Sequence, residues 1–456
     1  MIVLKFGGTS VGTADSLRNV REIALGLEEP AIIVVSALGG LTDRLIATAK
    51  AAAAGEDTAP EMEAIARRHY DIIEEVVPQE RRDEVLETVR PLLSELARMY
   101  EGLNLIGDLP ARTLDVIVSF GERMSAPIVA GMIDGARCHY SPSFVKTEKW
   151  FGKNIADTTL TSDLICKEFA EVSLEVTGGF ISSDRDSGEI TNLGRGGSDY
   201  TAALIAAALD ARILDIWTDV DGFMTSDPRI IPSARIIPEM TFVESMELCS
   251  FGAKVIYPPT IYPVFHKNIP IRILNTFNPS ARGTYISDRP AGSRENPVTG
   301  LSTLRDTCLV TLSGPTTANV ASLNSRAYNA MARRGIQVFL LAQPGDDSDF
   351  SFAVASADAQ RTVYVLNEEF APELLDGALE DISVKDCLST IAVVGDNLKA
   401  ESGLAPRIVH SLTRAGIPVE AVSDGSSETT VTVMVPQQEA TPALRLLHGL
   451  FFPQQI

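Results

Sequence analysis

Short apolar runs that end in glycine or a polar turn alternate along the chain with longer segments whose apolar residues recur at helical spacing. The runs are IVLKFGG at 2–8, AIIVVSALGG at 31–40, DVIVSFGE at 115–122, LEVTGGFI at 174–181 and ARILDIWTDVDG at 211–222. Helical patterns such as SLRNVREIALGL lie between them. Read as strands alternating with helices, this pattern predicts a mainly parallel sheet covered on both faces, an α/β fold. Ligands of such sheets bind beyond the carboxyl ends of the strands, where the glycines and polar residues of this chain fall.

Residues 44–104 interrupt the rhythm. RLIATAKAAAAGED, EMEAIARRHYDIIEEVV and ERRDEVLETVRPLLSELARMYEGL are rich in Ala, Leu, Glu and Arg at helical spacing, which predicts a helical insertion with a solvated, charged face. A second change comes near 290, where DRPAGSRENPVTG reads as a linker over 291–303. Beyond it the chain repeats itself. SRAYNAMARRGIQVFLLAQ (325–343) and PRIVHSLTRAGIPVEAVSD (406–424) align without a gap at an offset of 81 residues. Each copy follows one apolar strand and precedes another, so two modules of one α/β kind are expected over 304–385 and 386–456, with interleaving of the two left open.

Composition narrows the partners. A chain of 456 residues, 45% hydrophobic and 22% charged, has room for about two to four packed domains. Its formal net charge of −21 excludes a broad nucleic-acid or anionic-membrane surface. A phosphorylated ligand would have to be held by a few local cations and backbone amides. The start MIVLKFGG carries no signal-peptide segment, and no window reaches the roughly 20 apolar residues of a membrane span, so a cytoplasmic protein is expected. Five scattered cysteines, at 138, 166, 249, 308 and 387, predict reduced and mostly buried thiols rather than disulfides or a zinc site.

Candidate chemistry gathers in six places. KFGGTSVG (5–12) closes the first strand with glycines that let amides approach an anion, ahead of a helix N-terminus; Lys5 precedes the glycines, so this is not a Walker A loop. VVSALGGLTD (34–43) offers the hydroxyls of Ser36 and Thr42. SFGERMSA (119–126), placed just beyond an apolar strand, carries Glu122, able to receive an ammonium or simply to sit at a helix N-terminus. In TNLGRGGSDYTA, Arg195 suits a carboxylate, and Asp199 can orient a lysine or hold Mg²⁺. IWTDVDGFMTSDPR (216–229) lacks the ligands of a calcium loop and fits a turn beside a nucleotide. Lys254, in SFGAKVIYPPT, sits among apolar neighbours.

Taken in order, KFGGTSVG, VSALGGLTD, SFGERMSA, GGFISSD with TNLGRGGSDYTA, WTDVDGFMTSDPR and SFGAKVIYP resemble the aspartate kinases, a branch of the amino acid kinase superfamily. The likeness covers residues 1–290, and the doubled module resembles the paired ACT domains of the same enzymes. It implies an amino acid kinase three-layer sandwich over 1–290, then two βαββαβ ACT domains. It also implies that the γ-phosphate of ATP passes to the β-carboxylate of L-aspartate, with Mg²⁺ as cofactor. By the resemblance, Lys5, Asp199 and Lys254 are catalytic. Lys5, Gly7, Gly8, Thr218, Asp219, Met224, Arg229 and Lys254 hold the nucleotide, while Ser36, Thr42, Glu122, Phe180, Arg195 and Ser198 hold aspartate. No residue is assigned as a metal ligand. An amino-acid effector, lysine or threonine, at an ACT interface and a homodimer are further implications.

The chemistry explains why no motif contains a histidine: the nucleophile, a carboxylate with a reference pKa near 3.9, needs no base. Charge neutralisation and positioning are what the reaction requires. DGSSE (424–428) and QPGDDSDFSF (343–352) depart from the QGSSE and TSEVSVS patterns of relatives, so the effector's identity stays open. With the chain ending at Ile456, no fused homoserine dehydrogenase is expected. The competing readings are a kinase of another acid, such as glutamate or acetylglutamate, a non-catalytic ACT-type amino-acid sensor, and a nucleotide-binding structural protein.

Overall fold

The computed structural model describes residues 1–150, 153–289, 297–314, 320–342, 349–396, 398, 403–424 and 429–453. Residue 290, residues 291–296 of the expected linker, 343–348 of QPGDDSDFSF and 425–428 of DGSSE lie outside the described residues. The chain forms two compact units. The first comprises Met1–Phe223, Pro238–Phe242 and Val255–Pro290; the second comprises Met224–Ile237, Val243–Lys254 and Ala291–Ile456.

In the first unit the elements run β1 (Ile2–Phe6), α1 (Ala14–Leu25), β2 (Ala31–Val35), α2 (Leu41–Ala53), α3 (Ala59–Val76), α4 (Gln79–Ile106) and α5 (Ala111–Met132). They continue with β3 (Arg137–His139), β4 (Lys146–Trp150), β5 (Lys153–Ala156), α6 (Thr158–Glu168), β6 (Leu174–Gly178), β7 (Ile181–Asp184), β8 (Ile190–Asn192), α7 (Gly197–Ala208) and β9 (Leu214–Thr218). After β10 (Glu239–Thr241) and α8 (Phe242–Ser250), whose later residues belong to the second unit, come α9 (Tyr262–His266), β11 (Ile271–Asn275) and β12 (Thr284–Ser287).

Eight strands form one sheet in the order β10-β12-β11-β9-β1-β2-β6-β3, parallel except where β11 meets β12. A smaller sheet has the order β5-β4-β7-β8. Strand periodicity sorts the side chains of β1 between the faces. Ile2, Leu4 and Phe6 join a core with Ile33, Val35 and residues of α1 to α5, while Lys5 points to the opposite face, where α7 packs. Helix α1 starts where Thr13 caps it, accepting from the Ser16 amide at 3.2 Å while Ser16 Oγ accepts from Thr13 N at 3.0 Å.

One expectation fails in an instructive way. DVIVSFGE is not a strand but part of the 22-residue helix α5. Its apolar residues continue past Gly121 through Ile133, and from Ile117 to Met132 nearly every side chain is buried. A helix apolar on all sides shows no 3.6-residue stripe and cannot be told from a buried strand by its pattern. Glu122 and Arg123 therefore stand in mid-helix, not beyond a strand.

The second unit holds β13 (Val298–Ser313), α10 (Val320–Arg333), β14 (Leu340–Ala342), β15 (Asp349–Ala355), α11 (Ala359–Glu369), α12 (Ala371–Asp376), β16 (Asp381–Gly395), α13 (Leu404–Arg414), β17 (Ala421–Asp424), β18 (Thr430–Pro436) and α14 (Ala440–Phe451). All six strands share one antiparallel sheet, in the order β14-β15-β13-β16-β18-β17. The long strands β13 and β16 each serve two modules. Cys308, Val310 and Leu312 of β13 pack with α10 and α11, whereas Val298 and Leu301 pack with Ile391 and Val393 of β16 and with α13 and α14. Residues 298–303, expected as linker, are thus a strand of the second module, and the boundary at 385 runs through a shared strand. Each long strand breaks register at a residue with positive φ, Asp306 (56°) and Cys387 (59°), which stand at the repeat offset from one another.

Two stretches from within 1–290 belong to the second unit. Leu301 N donates to Thr225 O at 2.8 Å, Thr225 Oγ1 meets His448 Nε2 at 3.0 Å, and Ile231 enters the core of the second module. Met224, Arg229 and Lys254 travel with them. The thiols also differ from expectation. Only Cys308 is buried; Cys138 lies on the edge strand β3, Cys166 near the end of α6 and Cys387 on the bulge, all exposed.

Candidate active site

Parallel pairing places the carboxyl ends of β9, β1, β2 and β6 side by side, with Phe6 opposite both Trp217 and Val35, and Val35 opposite Gly178. The segments that leave those ends carry Gly7 and Gly8, Ser36, and Phe180. Helices α2 and α7 begin beside them, each after a glycine in the left-handed region, Gly40 (75°) and Gly196 (68°). A cavity of about 370 Å³ lies between these segments, lined by Lys5, Gly8, Ser36, Thr42, Glu122, Phe180, Ser198 and Asp199 among others. The first turns of α2 and α7 contribute to its wall, so two positive helix ends meet there.

Lys5 is buried, 9% exposed, and its Nζ lies 2.7 Å from Asp199 Oδ1. Gly7 borders this lysine: a Cβ there would stand 3.4 Å from Lys5 Nζ, an ordinary contact distance. Gly179 lets α7 come close, because a Cβ on it would meet the Ser198 Cα at 2.7 Å. Phe180 follows with φ of 65°, a conformation that a bulky side chain rarely adopts; its amide is held by Thr201 Oγ1 at 3.0 Å.

Glu122 reaches the cavity from α5 and is 3% exposed. Its Oε1 accepts from Ala37 N at 3.0 Å, whereas Oε2 is buried with no hydrogen-bond partner among the described residues. Burial pushes this carboxyl up to about 8, only partly opposed by the Ala37 amide. The site therefore has an acidic group with no cationic partner among the described residues. Helix α5 is seated against the 36–37 segment by Ser125 Oγ, which donates to Ser36 O at 2.8 Å, and by Gly121, where a Cβ would lie 2.6 Å from Ala37 Cβ. Gly121→Ala is expected to destabilise the first unit by about 1–3 kcal/mol through overpacking, measured as a lowered unfolding midpoint in calorimetry.

Eight of the expected site residues thus meet in one cavity, and Gly7 stands beside Lys5. Arg195 is exposed on the turn before α7 and is not among the residues lining the cavity. Thr218 ends β9 with its hydroxyl 3.2 Å from Asp219 Oδ1. In the second unit, Arg229 is paired with Asp227 at 2.8 Å and Lys254 is exposed after α8. Asp43, Leu38, Gly194 and Gly197 also line the cavity. Asp43 lay inside the VVSALGGLTD segment, and its place in the first turn of a helix was the signal for it. Among the described residues no group of three or more metal-ligating side chains occurs. Asp199 and Asp43 on the cavity wall nevertheless fit a magnesium ion carried on phosphates, which typically takes one or two carboxylates from protein.

The amino acid kinase family model matches residues 1–275, and an ACT domain model matches 391–451. A bifunctional aspartokinase/homoserine dehydrogenase of Haemophilus influenzae is 33% identical over 99% of this chain and 56% of its own length. The chain spans about half the length of that curated relative and of several others like it. The crystal structure of E. coli aspartokinase III in complex with aspartate and ADP has a TM-score of 0.84 at 27% identity, covering 99% of this chain and 100% of the other. The same enzyme in complex with lysine and aspartate gives a TM-score of 0.75 at 27% identity, with 99% of each chain covered. The chain belongs to the amino acid kinase family and carries an ACT domain in its C-terminal part.

Proposed function

We propose that the protein is an aspartate kinase, forming 4-phospho-L-aspartate and ADP from L-aspartate and ATP, the entry step to amino acids of the aspartate family such as lysine and threonine. One observation carries the reading: a single cavity joins the Lys5–Asp199 pair to Glu122, a buried carboxylate without a cation. The first suits a phosphoryl group and the second an ammonium, which is what a kinase of an amino acid must hold together.

In this reading the substrate ammonium lies at Glu122, flanked by Ser36, Thr42 and Ser198, and Arg195, exposed on the turn before α7, is assigned the α-carboxylate. A β-carboxylate oxygen attacks the γ-phosphorus, the bond from phosphorus to the oxygen bridging to the β-phosphate breaks, and that electron pair leaves with ADP. No proton moves. Lys5 and the amides of Gly7 and Gly8 stabilise the charge on the transferred group, and Asp199 fixes the lysine. Thr218, Asp219, Met224, Arg229 and Lys254 are assigned to the nucleotide. Magnesium on the phosphates supplies further charge neutralisation.

The ACT modules are assigned an amino-acid effector, lysine or threonine, supported by the lysine complex of the E. coli enzyme. A homodimer acting in the cytoplasm completes the proposal. The test is ADP release with Mg-ATP and a panel of L-aspartate, L-glutamate and N-acetyl-L-glutamate, alongside hydroxylamine capture of the acyl phosphate. L-Aspartate alone should give rapid turnover and an aspartyl hydroxamate, slowed by lysine or threonine. Preference for glutamate or acetylglutamate, or no turnover with any acid, would overturn the reading.

A further inference from the structure

The helical insertion sends one side chain to the edge of the site. Arg68, on α3, donates from Nη2 to Gly12 O at 2.9 Å and to Gly39 O at 2.8 Å. Gly12 closes the loop that follows β1, and Gly39 belongs to the loop that follows β2. These are the two loops that carry Gly8 and Gly40 to the cavity wall.

The two loops already touch at their glycines. A Cβ on Gly39 would lie 2.9 Å from Gly8 O, and one on Gly12 would lie 3.5 Å from Gly39 N. Chain without side chains is the part of a site most free to drift. A trans peptide points its N–H opposite its carbonyl, so holding Gly39 O also fixes the direction of the Gly40 amide. Arg68 differs from its neighbours in one more respect. Arg44 and Arg67 pair with Glu61 at 2.5 Å and Glu63 at 2.6 Å, whereas among the described residues Arg68 has no carboxylate within ion-pair distance. Its positive charge therefore stands unneutralised beside the loops that would meet a phosphate.

We propose that Arg68 is a positioning residue of the phosphoryl-transfer site, a guanidinium clamp that fixes the first and second glycine loops relative to one another so that both reactants sit in register. The inference rests on the kinase reading given above. It assigns the helical insertion a part in catalysis that its charged, solvated pattern did not disclose. Arg68 touches neither reactant, and its effect passes through the two backbone carbonyls.

The test compares Arg68→Met and Arg68→Lys with the wild-type full chain in the hydroxamate assay, with calorimetric binding of Mg-ADP and a thermal unfolding scan. Misplacement by about 1 Å can cost a hundredfold in rate. For Arg68→Met, kcat should fall by roughly 10–100-fold, with ADP affinity changed less than about threefold and the unfolding midpoint close to wild type. Arg68→Lys keeps the charge and three donors, and should recover part of the loss. If Arg68→Met fails to fold, Arg68→Lys carries the same comparison. A variant with lowered unfolding midpoint but wild-type kcat and KM would make Arg68 merely structural and overturn the proposal. Wild-type protein that turns over no acid would instead defeat the kinase reading, so the two failures are distinct.

Discussion

Lys5→Ala should lower kcat for aspartyl phosphate formation by roughly a thousandfold. Two like charges about 4 Å apart repel by roughly 4 kcal/mol at an effective dielectric of about 20, and each 1.36 kcal/mol is about tenfold in rate. The carboxylate of one substrate and the phosphate of the other meet in this way. Lys5 is the buried cation on the cavity wall, anchored at 2.7 Å to Asp199, so its ammonium needs no reorganisation as charge develops. Loss of the lysine removes that stabilisation and leaves Asp199 facing the phosphates as an extra negative charge. Asp199→Asn should cost less, because the lysine remains and only its orientation suffers. Steady-state hydroxamate kinetics check both. An Lys5→Ala protein that binds Mg-ADP normally and turns over within tenfold of wild type would remove Lys5 from the mechanism.

Binding of L-aspartate should release close to one proton at pH 7, and Glu122→Gln should abolish that release while weakening L-aspartate by roughly a hundredfold. Without substrate, burial holds Glu122 at about 8, so the carboxyl is mostly protonated at neutral pH. An incoming ammonium supplies the missing countercharge, and the carboxyl ionises on binding. Apparent affinity should therefore tighten as pH rises from 6 towards 8 and level off above it. Truncating one partner of a buried charge pair typically costs about 2–5 kcal/mol, which sets the hundredfold figure. Calorimetry in buffers of different ionisation enthalpy counts the proton.

The same shift fixes the sign of a stability effect. The folded state keeps a proton that the unfolded chain gives up near 4.5, so Glu122's contribution is fully present below 4.5 and is lost as pH rises through about 8. Glu122→Gln should accordingly flatten the decline of stability across that window and be the more stable form above it. A wild-type L-aspartate affinity independent of pH between 6 and 8, with no proton released, would contradict this account of Glu122.

What the sequence disclosed and what it hid follow from the range of the interactions involved. Lys5, Ser36, Thr42, Phe180 and Asp199 were legible because a parallel sheet brings the ends of successive strands together whatever the intervening distance along the chain. The doubled module was legible because a repeat at a constant offset needs no knowledge of folding. Helix α5 was misread as a strand because burial on every side erases the periodicity that separates helix from strand. The strand at 298–303 looked like linker because its partner, Ile391–Gly395, lies some ninety residues away and no local propensity announces such a pairing. Arg68 looked like one more surface charge among Arg67, Glu63 and Glu74. Only the fold shows that its two acceptors are backbone carbonyls of distant loops.

Glycine had two meanings that sequence alone did not separate. Gly40 only relieves a left-handed turn ahead of a helix, Gly121 and Gly179 are places where a neighbouring element comes too close for a Cβ, and Gly196 does both. Gly40 and Gly196 line the cavity, while Gly121 and Gly179 adjoin the lining residues Glu122 and Phe180, which is why several glycine-rich segments pointed to it jointly although each was weak alone.

The central claim is that a carboxylate oxygen of L-aspartate attacks the γ-phosphorus of ATP. It is tested most directly with L-aspartate labelled by ¹⁸O in the β-carboxylate, following phosphorus NMR of the reaction and of the products after quenching. The account predicts an acyl phosphate resonance with the isotope shift of a bridging ¹⁸O, formed at the rate of ADP release. ADP and unlabelled orthophosphate appearing with no acyl phosphate would contradict it.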